Sequence, residues 1–266
     1  MDLRRAKYIL PNLFTLSSVA AGVYSIHLST TATTIDEITL AAWLIVAAMI
    51  CDGFDGRVAR MTKTESALGI QLDSLADAIS FGVAPAFLLY HWGMADWGWL
   101  GFGVVIAYVS CAIMRLARFN VLAQEAQDTK RYFLGLPTPL AAGTIVSVVL
   151  AHLAFTETAA TGAGFSVAAL GLLLSGLMVS NVKYRTFKDL KVKGRGALGV
   201  VGVLLAMVAL SVILKPSITL VIVMMAYIIL GLIGGIASLG RGFFGDDGED
   251  EEEEEDETFL ATDRES

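Results

Sequence analysis

Long apolar stretches recur along the chain and decide what it can fold into. Each of the eight runs holds about 18 to 24 residues with almost no charge, and a helix of that length crosses a hydrocarbon layer roughly 30 Å thick. Their approximate bounds are 9–29, 37–56, 68–91, 97–117, 138–156, 163–182, 197–214 and 217–237. The sequence therefore predicts an all-α, polytopic membrane protein with about eight transmembrane helices.

The composition agrees with this prediction, since 55% of the residues are hydrophobic and only 17% are charged. We expect a transmembrane domain over residues 1–240 and an acidic cytoplasmic tail over 241–266. Residues 246–266 hold thirteen acidic residues and one arginine, too little apolar surface for a core, so the tail is predicted to be disordered. The first apolar run continues for a full span without a small-residue cleavage site, so no cleavable signal peptide is expected.

Basic residues lie almost entirely on one side of the predicted membrane. Of 19 lysines and arginines, only Lys215 falls on the opposite side. The positive-inside rule makes the basic side cytoplasmic, which requires an even number of spans and places both termini in the cytoplasm. We therefore expect a multi-pass protein of the cell (inner) membrane. Without residues 246–266 the chain carries a net charge of +5, which suits contact with anionic lipids and nucleotides.

Four aspartates interrupt the apolar pattern where the second and third spans face each other across a short connection. Asp52 and Asp55 end one span, and Asp73 and Asp77 begin the next. A charged side chain costs about 2.5–3.5 kcal/mol at the centre of a spanning helix and less toward its ends, so four unpaired carboxylates would be a heavy burden. Pairing with Arg57 and Arg60 is the simple structural alternative, but two arginines cannot neutralise four carboxylates.

The spacing of the aspartates indicates a cation site. Residues three or four apart share a helical face, so each pair presents two carboxylates together, and two such faces can converge. Oxygen ligands without histidine or cysteine favour Mg²⁺ or Mn²⁺ over zinc, and four carboxylates can hold two ions. Two ions can neutralise a pyrophosphate and orient an attacking hydroxyl, which is the chemistry of phosphoryl-type transfer. The active site is then expected on the cytoplasmic side.

Residues around the aspartates fit a phosphate ligand. Gly56 and Gly69 lie one turn from an aspartate and remove side-chain bulk, although helix packing explains isolated glycines equally well. Arg60 can pair with a phosphate, and Ser66 offers a hydroxyl to phosphate or ribose. The chain shows no Walker-type glycine loop, Ser-His-Asp set or Cys-x-x-Cys motif, and its basic segments do not indicate nucleic-acid binding.

The pattern Asp52-x-x-Asp55-Gly56-x-x-Ala59-Arg60, eight residues, Gly69-x-x-x-Asp73-x-x-x-Asp77 resembles the signature of the CDP-alcohol phosphotransferase family at every fixed position. The resemblance implies a core of six membrane helices, a homodimer and displacement of CMP from a CDP-linked lipid. It implies two divalent ions among the four aspartates, with Asp77 also the base for the acceptor's hydroxyl proton. It assigns contacts with the CDP-lipid to Asn12, Thr15, Gly56, Arg60, Ser66 and Gly69.

Other segments bear on the acceptor alcohol. LPNLFTL at 10–16, RLARFN at 115–120, FLGLPTPLAA at 133–142 and LMVSNVKY at 177–184 resemble the phosphatidylserine synthase branch of that family, with Ser18 departing from the asparagine common there. The expected substrates are CDP-diacylglycerol and L-serine, with Arg118 and Asn120 as candidates for the serine site. Snorkelling of Arg118 to the interface is the alternative.

Three alternatives remain at this point. Phosphatidylglycerophosphate synthesis would use another acceptor, and an ether-lipid donor would make archaetidylserine instead. A cation transporter could also carry intramembrane acids, but transporter sites lie near the membrane midplane between inverted repeats, whereas these four aspartates share one end.

Overall fold

The computed structural model describes residues 3–62, 66–125, 132–156, 158–181 and 183–185, with the isolated positions 219, 221 and 224. Helices α1 (Leu3–Thr31) and α2 (Ile35–Thr62) come first. A continuous helical rod follows, formed by α3 (Ala67–Asp77), a π-helical segment (Ala78–Val83) and α4 (Ala84–Gly93). A 3-10 turn (Ala95–Trp97) leads to α5 (Trp99–Glu125), and α6 (Thr138–Thr156) and α7 (Gly164–Val179) complete the described helices.

The all-α membrane fold predicted from the sequence is confirmed. Within the described residues, four helical stretches are long and apolar enough to cross a membrane: Ile35–Val58, Leu68–Gly93, Trp99–Leu122 and Thr138–Thr156. Helices α1 and α7 occupy the first and sixth predicted spans, and α7 is a shorter apolar helix of 16 residues. The predicted spans 197–214 and 217–237 and the acidic tail lie outside the described residues.

The rod formed by α3, the π segment and α4 lies at the centre of the bundle. Helix α4 packs against α1, α2, α5, α6 and α7, while α1 packs most extensively against α2. Many of the fully buried contacts are small residues, among them Ala41, Ala42, Ala84, Ala112 and Ala141. Small side chains let helices approach closely, and dispersion contacts then stabilise a bundle whose surroundings are as apolar as its interior.

The π segment marks where the central rod departs from a regular α-helix. The amide of Ala84 donates to the carbonyl of Ile79, five residues back. Pro85 follows at once, and it has no N–H for the carbonyl of Phe81, four residues before it. The hydroxyl of Tyr108 on α5 donates to that carbonyl at 3.4 Å, so a neighbouring helix supplies the hydrogen bond that the proline cannot donate.

A short antiparallel strand pair, not predicted from the sequence, joins the connections before α6 and after α7. Tyr132–Leu134 (β1) pairs with Lys183–Arg185 (β2), with Phe133 opposite Tyr184. Gly135 follows at φ 79°, and a Cβ there would overlap the carbonyl oxygen of Met178. Only glycine meets both conditions, so this turn holds the start of α6 against the end of α7.

The end of the bundle away from the aspartates is rich in exposed aromatic residues. Trp97 ends the 3-10 turn and is 40% exposed, and Trp99 begins α5 and is 88% exposed, with its ring edge to face with that of Phe102. Tryptophan favours the boundary between lipid and water because its ring is apolar and its N–H is polar. This end therefore fits one membrane interface, and the aspartate end lies toward the other.

Candidate active site

The four aspartates come from two helices that meet at the aspartate end of the bundle. Asp52 and Asp55 lie on the last turns of α2, and Asp73 and Asp77 lie on α3, with Asp77 as its final residue. Spacings of three and four residues put each pair on one helical face, as predicted. The structure thus brings together the two faces that the sequence suggested could converge.

The carboxylates are close enough to share one cation. Asp52, Asp55 and Asp73 each offer an oxygen within 4.8 Å of the others. The carboxyl group of Asp52 is also within hydrogen-bonding reach of those of Asp73 and Asp77. Asp55 is only 5% exposed, whereas the other three are half-buried. Like charges this close repel strongly in a poorly hydrated site, so the arrangement requires a proton or a cation to compensate them.

Helix α1 supports the cluster from the side. The hydroxyl of Thr15 donates to Oδ2 of Asp55 at 2.7 Å, and both side chains are buried. The family resemblance assigns Thr15 a contact with the CDP-lipid, and in the structure its hydroxyl is hydrogen-bonded to a carboxylate of the cluster. Outer residues of this kind hold metal-binding side chains in place and tune their basicity. Asn12, one turn earlier on α1, is half-buried.

The donor set fits a hard divalent cation. All the clustered groups are carboxylates, which Mg²⁺ and Mn²⁺ prefer. Oδ1 of Asp77 is fully enclosed and has no hydrogen-bond partner among the described residues. A buried carboxylate oxygen without a donor is costly, so a group that binds there offsets a real penalty. Asp52, Asp55, Asp73 and Asp77 are therefore the residues that would hold such ions.

The start of α3 explains two further predicted residues. Ser66 is the N-cap of α3, and its hydroxyl accepts a hydrogen bond from the amide of Gly69 at 3.0 Å. A Cβ at Gly69 would lie 3.2 Å from that hydroxyl oxygen, so the glycine keeps the cap unstrained. Gly56 is half-buried on α2 one turn after Asp52. Arg60 belongs to the end of the same helix, and its side chain is outside the described part of the chain.

A buried arginine on α5 lies within electrostatic reach of the cluster. Arg115 on α5 is 8% exposed, donates to the hydroxyl of Thr138 at 3.3 Å and lies over the ring of Phe119 at 5.5 Å. It interacts electrostatically with Asp77. The site therefore holds a buried positive charge within electrostatic reach of Asp77.

Arg118 and Asn120, the predicted acceptor residues, contact other parts of the bundle. Arg118 donates to Oδ1 of Asn181 at 2.8 Å, which ties α5 to the residues after α7. Asn120 donates to the hydroxyl of Ser74 at 2.8 Å, next to Asp73 on α3. The RLARFN segment of α5 thus contacts FLGLPTPLAA through Arg115 and Thr138, and it contacts LMVSNVKY through Arg118 and Asn181. These are three of the segments that resemble the serine-using branch.

Comparison with known proteins decides the family. The sequence model described as CDP-alcohol phosphatidyltransferase matches residues 8–177. A protein of Helicobacter pylori named CDP-diacylglycerol–serine O-phosphatidyltransferase is 40% identical over 188 residues, which are 69% of this chain and 75% of that protein. The chain belongs to the CDP-alcohol phosphatidyltransferase family.

Two more distant members extend the comparison. One from Bacillus subtilis bears the same name as the Helicobacter protein and is 31% identical over 179 residues, 67% of this chain and 91% of its own length. An archaeal member from Methanothermobacter thermautotrophicus, named archaetidylserine synthase, is 37% identical over 191 residues, 71% of this chain and 72% of its own. Family membership confirms a transferase of phospholipid biosynthesis and removes the cation-transporter alternative.

Some contacts of this phosphatidyltransferase site could not have been found from its signature. The partnership of Thr15 with Asp55 joins residues far apart in the sequence, and the position of Arg115 beside Asp77 depends on how α5 packs. The only available signal was composition, because a threonine and an arginine within apolar stretches need partners. The individual roles predicted for the signature residues stay predictions.

Proposed function

We propose that this phosphatidyltransferase uses divalent cations to transfer the phosphatidyl group of CDP-diacylglycerol to the hydroxyl of L-serine, with release of CMP. The observation that carries the proposal is the meeting of four carboxylates beside a buried arginine, at the end of α5 that bears the RLARFN segment. The names of the three relatives described above, all of which specify serine, support the choice of acceptor.

The chemistry follows from the charges of the site. Asp77 takes the proton of the serine hydroxyl, and the serine oxygen forms a bond to the lipid-side phosphorus of the pyrophosphate. The bond from that phosphorus to the bridging oxygen breaks, and CMP leaves with the electron pair. Bound Mg²⁺ or Mn²⁺, as two ions, would supply charge neutralisation to the pyrophosphate. Asp52, Asp55 and Asp73 are the other proposed ligands of these ions.

The donor site is proposed to lie along α1, the end of α2 and the start of α3. Asn12, Thr15, Gly56, Arg60, Ser66 and Gly69 are its proposed contacts. The start of α3 supports a phosphate here, because the first turn of a helix has amides without intrahelical partners and a positive dipole end, although the amide of Gly69 itself is capped by Ser66. Thr15 would act through Asp55, to which it donates.

The serine site is proposed to lie on the α5 side, where the carboxylate of the amino acid needs a cation. Arg118 and Asn120 are the proposed residues, and Arg115 supplies buried positive charge nearer to Asp77. The hydrogen bonds from Arg118 to Asn181 and from Asn120 to Ser74 support a rigid pocket wall. A preorganised wall binds a small substrate at lower entropic cost than flexible side chains do.

The enzyme is further proposed to act as a homodimer in the inner membrane, with both termini and the active site facing the cytoplasm. The distribution of lysine and arginine in the sequence supports this orientation. Residues 1–240 would form the membrane domain and residues 241–266 an acidic cytoplasmic tail.

An assay with a panel of alcohols tests the proposed reaction. The purified chain in lipid nanodiscs receives CDP-diacylglycerol, Mg²⁺ and either serine, glycerol phosphate or inositol phosphate. We expect phosphatidylserine and CMP in equal amounts from serine. Lipid product from glycerol phosphate with none from serine would overturn the serine assignment. A parallel series with a CDP-linked ether lipid tests the donor, because one relative is named archaetidylserine synthase.

A variant pair tests the base. Asp77→Asn should lower the transfer rate by roughly 10²–10⁴-fold while CDP-diacylglycerol still binds. Asp96→Asn is the matched control, since Asp96 is an exposed aspartate at the opposite end of the bundle. Equal activity of the two variants would remove Asp77 as the base.

A further inference from the structure

One face of α1 is buried yet polar, which is unusual for a helix in an apolar bundle. Its buried hydroxyl-bearing residues and one buried glycine follow alternating steps of three and four residues, and they are Thr15, Ser18, Gly22, Ser25 and Ser29, while Leu28 is a buried apolar residue of the same helix. Such spacing keeps one continuous stripe toward the neighbouring helices. Thr15, at one end of the stripe, donates a hydrogen bond to Asp55 of α2. The next residue along the stripe is Ser18.

Ser18 contacts the central rod just beyond Asp77. Its hydroxyl donates to the hydroxyl of Ser80 at 3.2 Å, and the hydroxyl of Ser80 donates to the carbonyl of Ser18 at 3.0 Å. Ser18 is 1% exposed and Ser80 is fully buried. Two reciprocal hydrogen bonds in a buried contact favour one relative position of the two helices, because other positions would leave buried hydroxyl groups unpaired.

Gly22 brings the backbones themselves into contact. A Cβ at this position would lie 2.8 Å from Oγ and 2.9 Å from Cα of Ser80. The glycine therefore admits the main chain of the π segment against α1. On the opposite side, α5 contacts the same segment through the hydroxyl of Tyr108. It also contacts the segment at Gly82, where an added Cβ would lie 3.4 Å from the Cβ of Ala112.

The π segment between α1 and α5 begins directly after Asp77, the proposed base. Asp77 is the residue immediately before the π segment, and Ser80 is three residues later. A π segment inserts an extra residue into a helical turn, and such insertions are frequent at functional sites. The turn can relax toward regular α-helix only by rotating the residues on one side of it. Holding the π turn between α1 and α5 therefore holds the direction in which Asp77 points.

We propose that Ser18 and Ser80 are positioning residues for Asp77, and that contacts with α1 fix the positions of the two aspartate pairs relative to each other. Through Thr15 the helix fixes Asp55 on α2, and through Ser18 it fixes the turn after Asp77 on the central rod. This inference rests on the proposed function, because it takes Asp77 as the base.

Alanine variants of the two serines test the proposal, with Ser25→Ala as the matched control. Ser25 belongs to the same buried stripe and donates to the carbonyl of Ala41 at 2.8 Å, so its loss also removes a buried hydroxyl. Ser25 lies two turns beyond Ser18, away from the aspartates. All three variants should lose similar thermal stability, which separates positioning from folding.

We expect Ser18→Ala and Ser80→Ala to lower kcat by at least about tenfold relative to Ser25→Ala, because a displacement of about 1 Å can cost 10²-fold. The KM values for CDP-diacylglycerol and acceptor should stay within about threefold, since the binding groups are unchanged. A kcat within about threefold of the control, or a rise in KM that accounts for the loss, would overturn the proposal. If Ser80→Ala does not fold, the comparison of Ser18→Ala with Ser25→Ala decides by the same criteria.

The test does not depend on serine being the acceptor. Kinetics are measured with whichever alcohol the wild-type chain uses in the panel described above. A wild type inactive with serine but active with another alcohol would contradict the proposed acceptor and leave the positioning test intact. An active wild type with unaffected serine variants would contradict the positioning role alone.

Discussion

Residues at this site have two kinds of role. The aspartates are the proposed ligands of the cations, and other side chains orient the aspartates. The signature names the four aspartates, but the positions of their carboxylates depend on side chains that the signature omits. Thr15 donates to Asp55, and Asn120 reaches the residue beside Asp73. Because a carboxylate that binds a cation must hold one orientation, the loss of a supporting donor should weaken cation binding before it alters the chemistry.

The hydroxyl of Thr15 allows a direct test of one such supporting hydrogen bond. Thr15→Val keeps the shape of the side chain and removes the donor to Asp55, so the Mg²⁺ concentration for half-maximal transfer should rise about tenfold. Thr15→Ser should restore it. Thr30→Val is the control, because Thr30 is an exposed residue of the same helix that donates only to its own backbone in the described contacts. An unchanged Mg²⁺ requirement in Thr15→Val would show that this hydrogen bond does not support the site.

The secondary-structure elements were predicted with unequal success. Six of the predicted spans fall on described helices, four of which are long and apolar enough to cross a membrane, and helical spacing paired the aspartates correctly. Hydropathy could not reveal the π segment, which depends on Pro85 and on a donor from α5, nor the pairing of Tyr132–Leu134 with Lys183–Arg185. Helices α2 and α5 also continue to Thr62 and Glu125, past their predicted ends, because a helix that leaves the membrane need not stop at its surface.

A double-mutant cycle tests the origin of the π segment. Tyr108→Phe should lower the free energy of unfolding by about 1–3 kcal/mol, because the carbonyl of Phe81 then stays buried without a donor. In a Pro85→Ala background the same change should cost less, since residue 85 regains an N–H for that carbonyl. A coupling of about 1 kcal/mol in reversible unfolding is expected. Additive effects would mean that Tyr108 and Pro85 do not act on one group.

The turn before α6 allows a second stability test. Gly135→Ala should destabilise the fold by about 1–3 kcal/mol, because the position has φ 79° and its Cβ would overlap the carbonyl of Met178. Gly176→Ala is the matched change, since a Cβ there meets nothing within 4 Å and alanine favours the α7 helix by roughly 0.5–1 kcal/mol. The two variants should shift the unfolding temperature in opposite directions. A neutral Gly135→Ala would contradict the required turn.

On the scale of the whole molecule, the bundle separates two chemical environments. Exposed tryptophans mark one end, and the carboxylates and buried arginine mark the other. The central rod connects them, and α1 and α5 hold it from two sides. The sequence could predict which end holds the chemistry because charge is costly within a membrane. It could not predict the supporting contacts, because those depend on how three helices pack.

The four aspartates are proposed to form one centre for divalent cations that serves the transfer reaction. Titration of Mn²⁺ into the purified chain with CDP-diacylglycerol, followed by electron paramagnetic resonance, tests it directly. We expect saturable binding of about two ions per chain. The Asp52→Asn/Asp73→Asn variant should lose both Mn²⁺ binding and transfer, while Asp96→Asn keeps both. Undiminished binding in the double variant, or full transfer after removal of all divalent cations, would contradict this account.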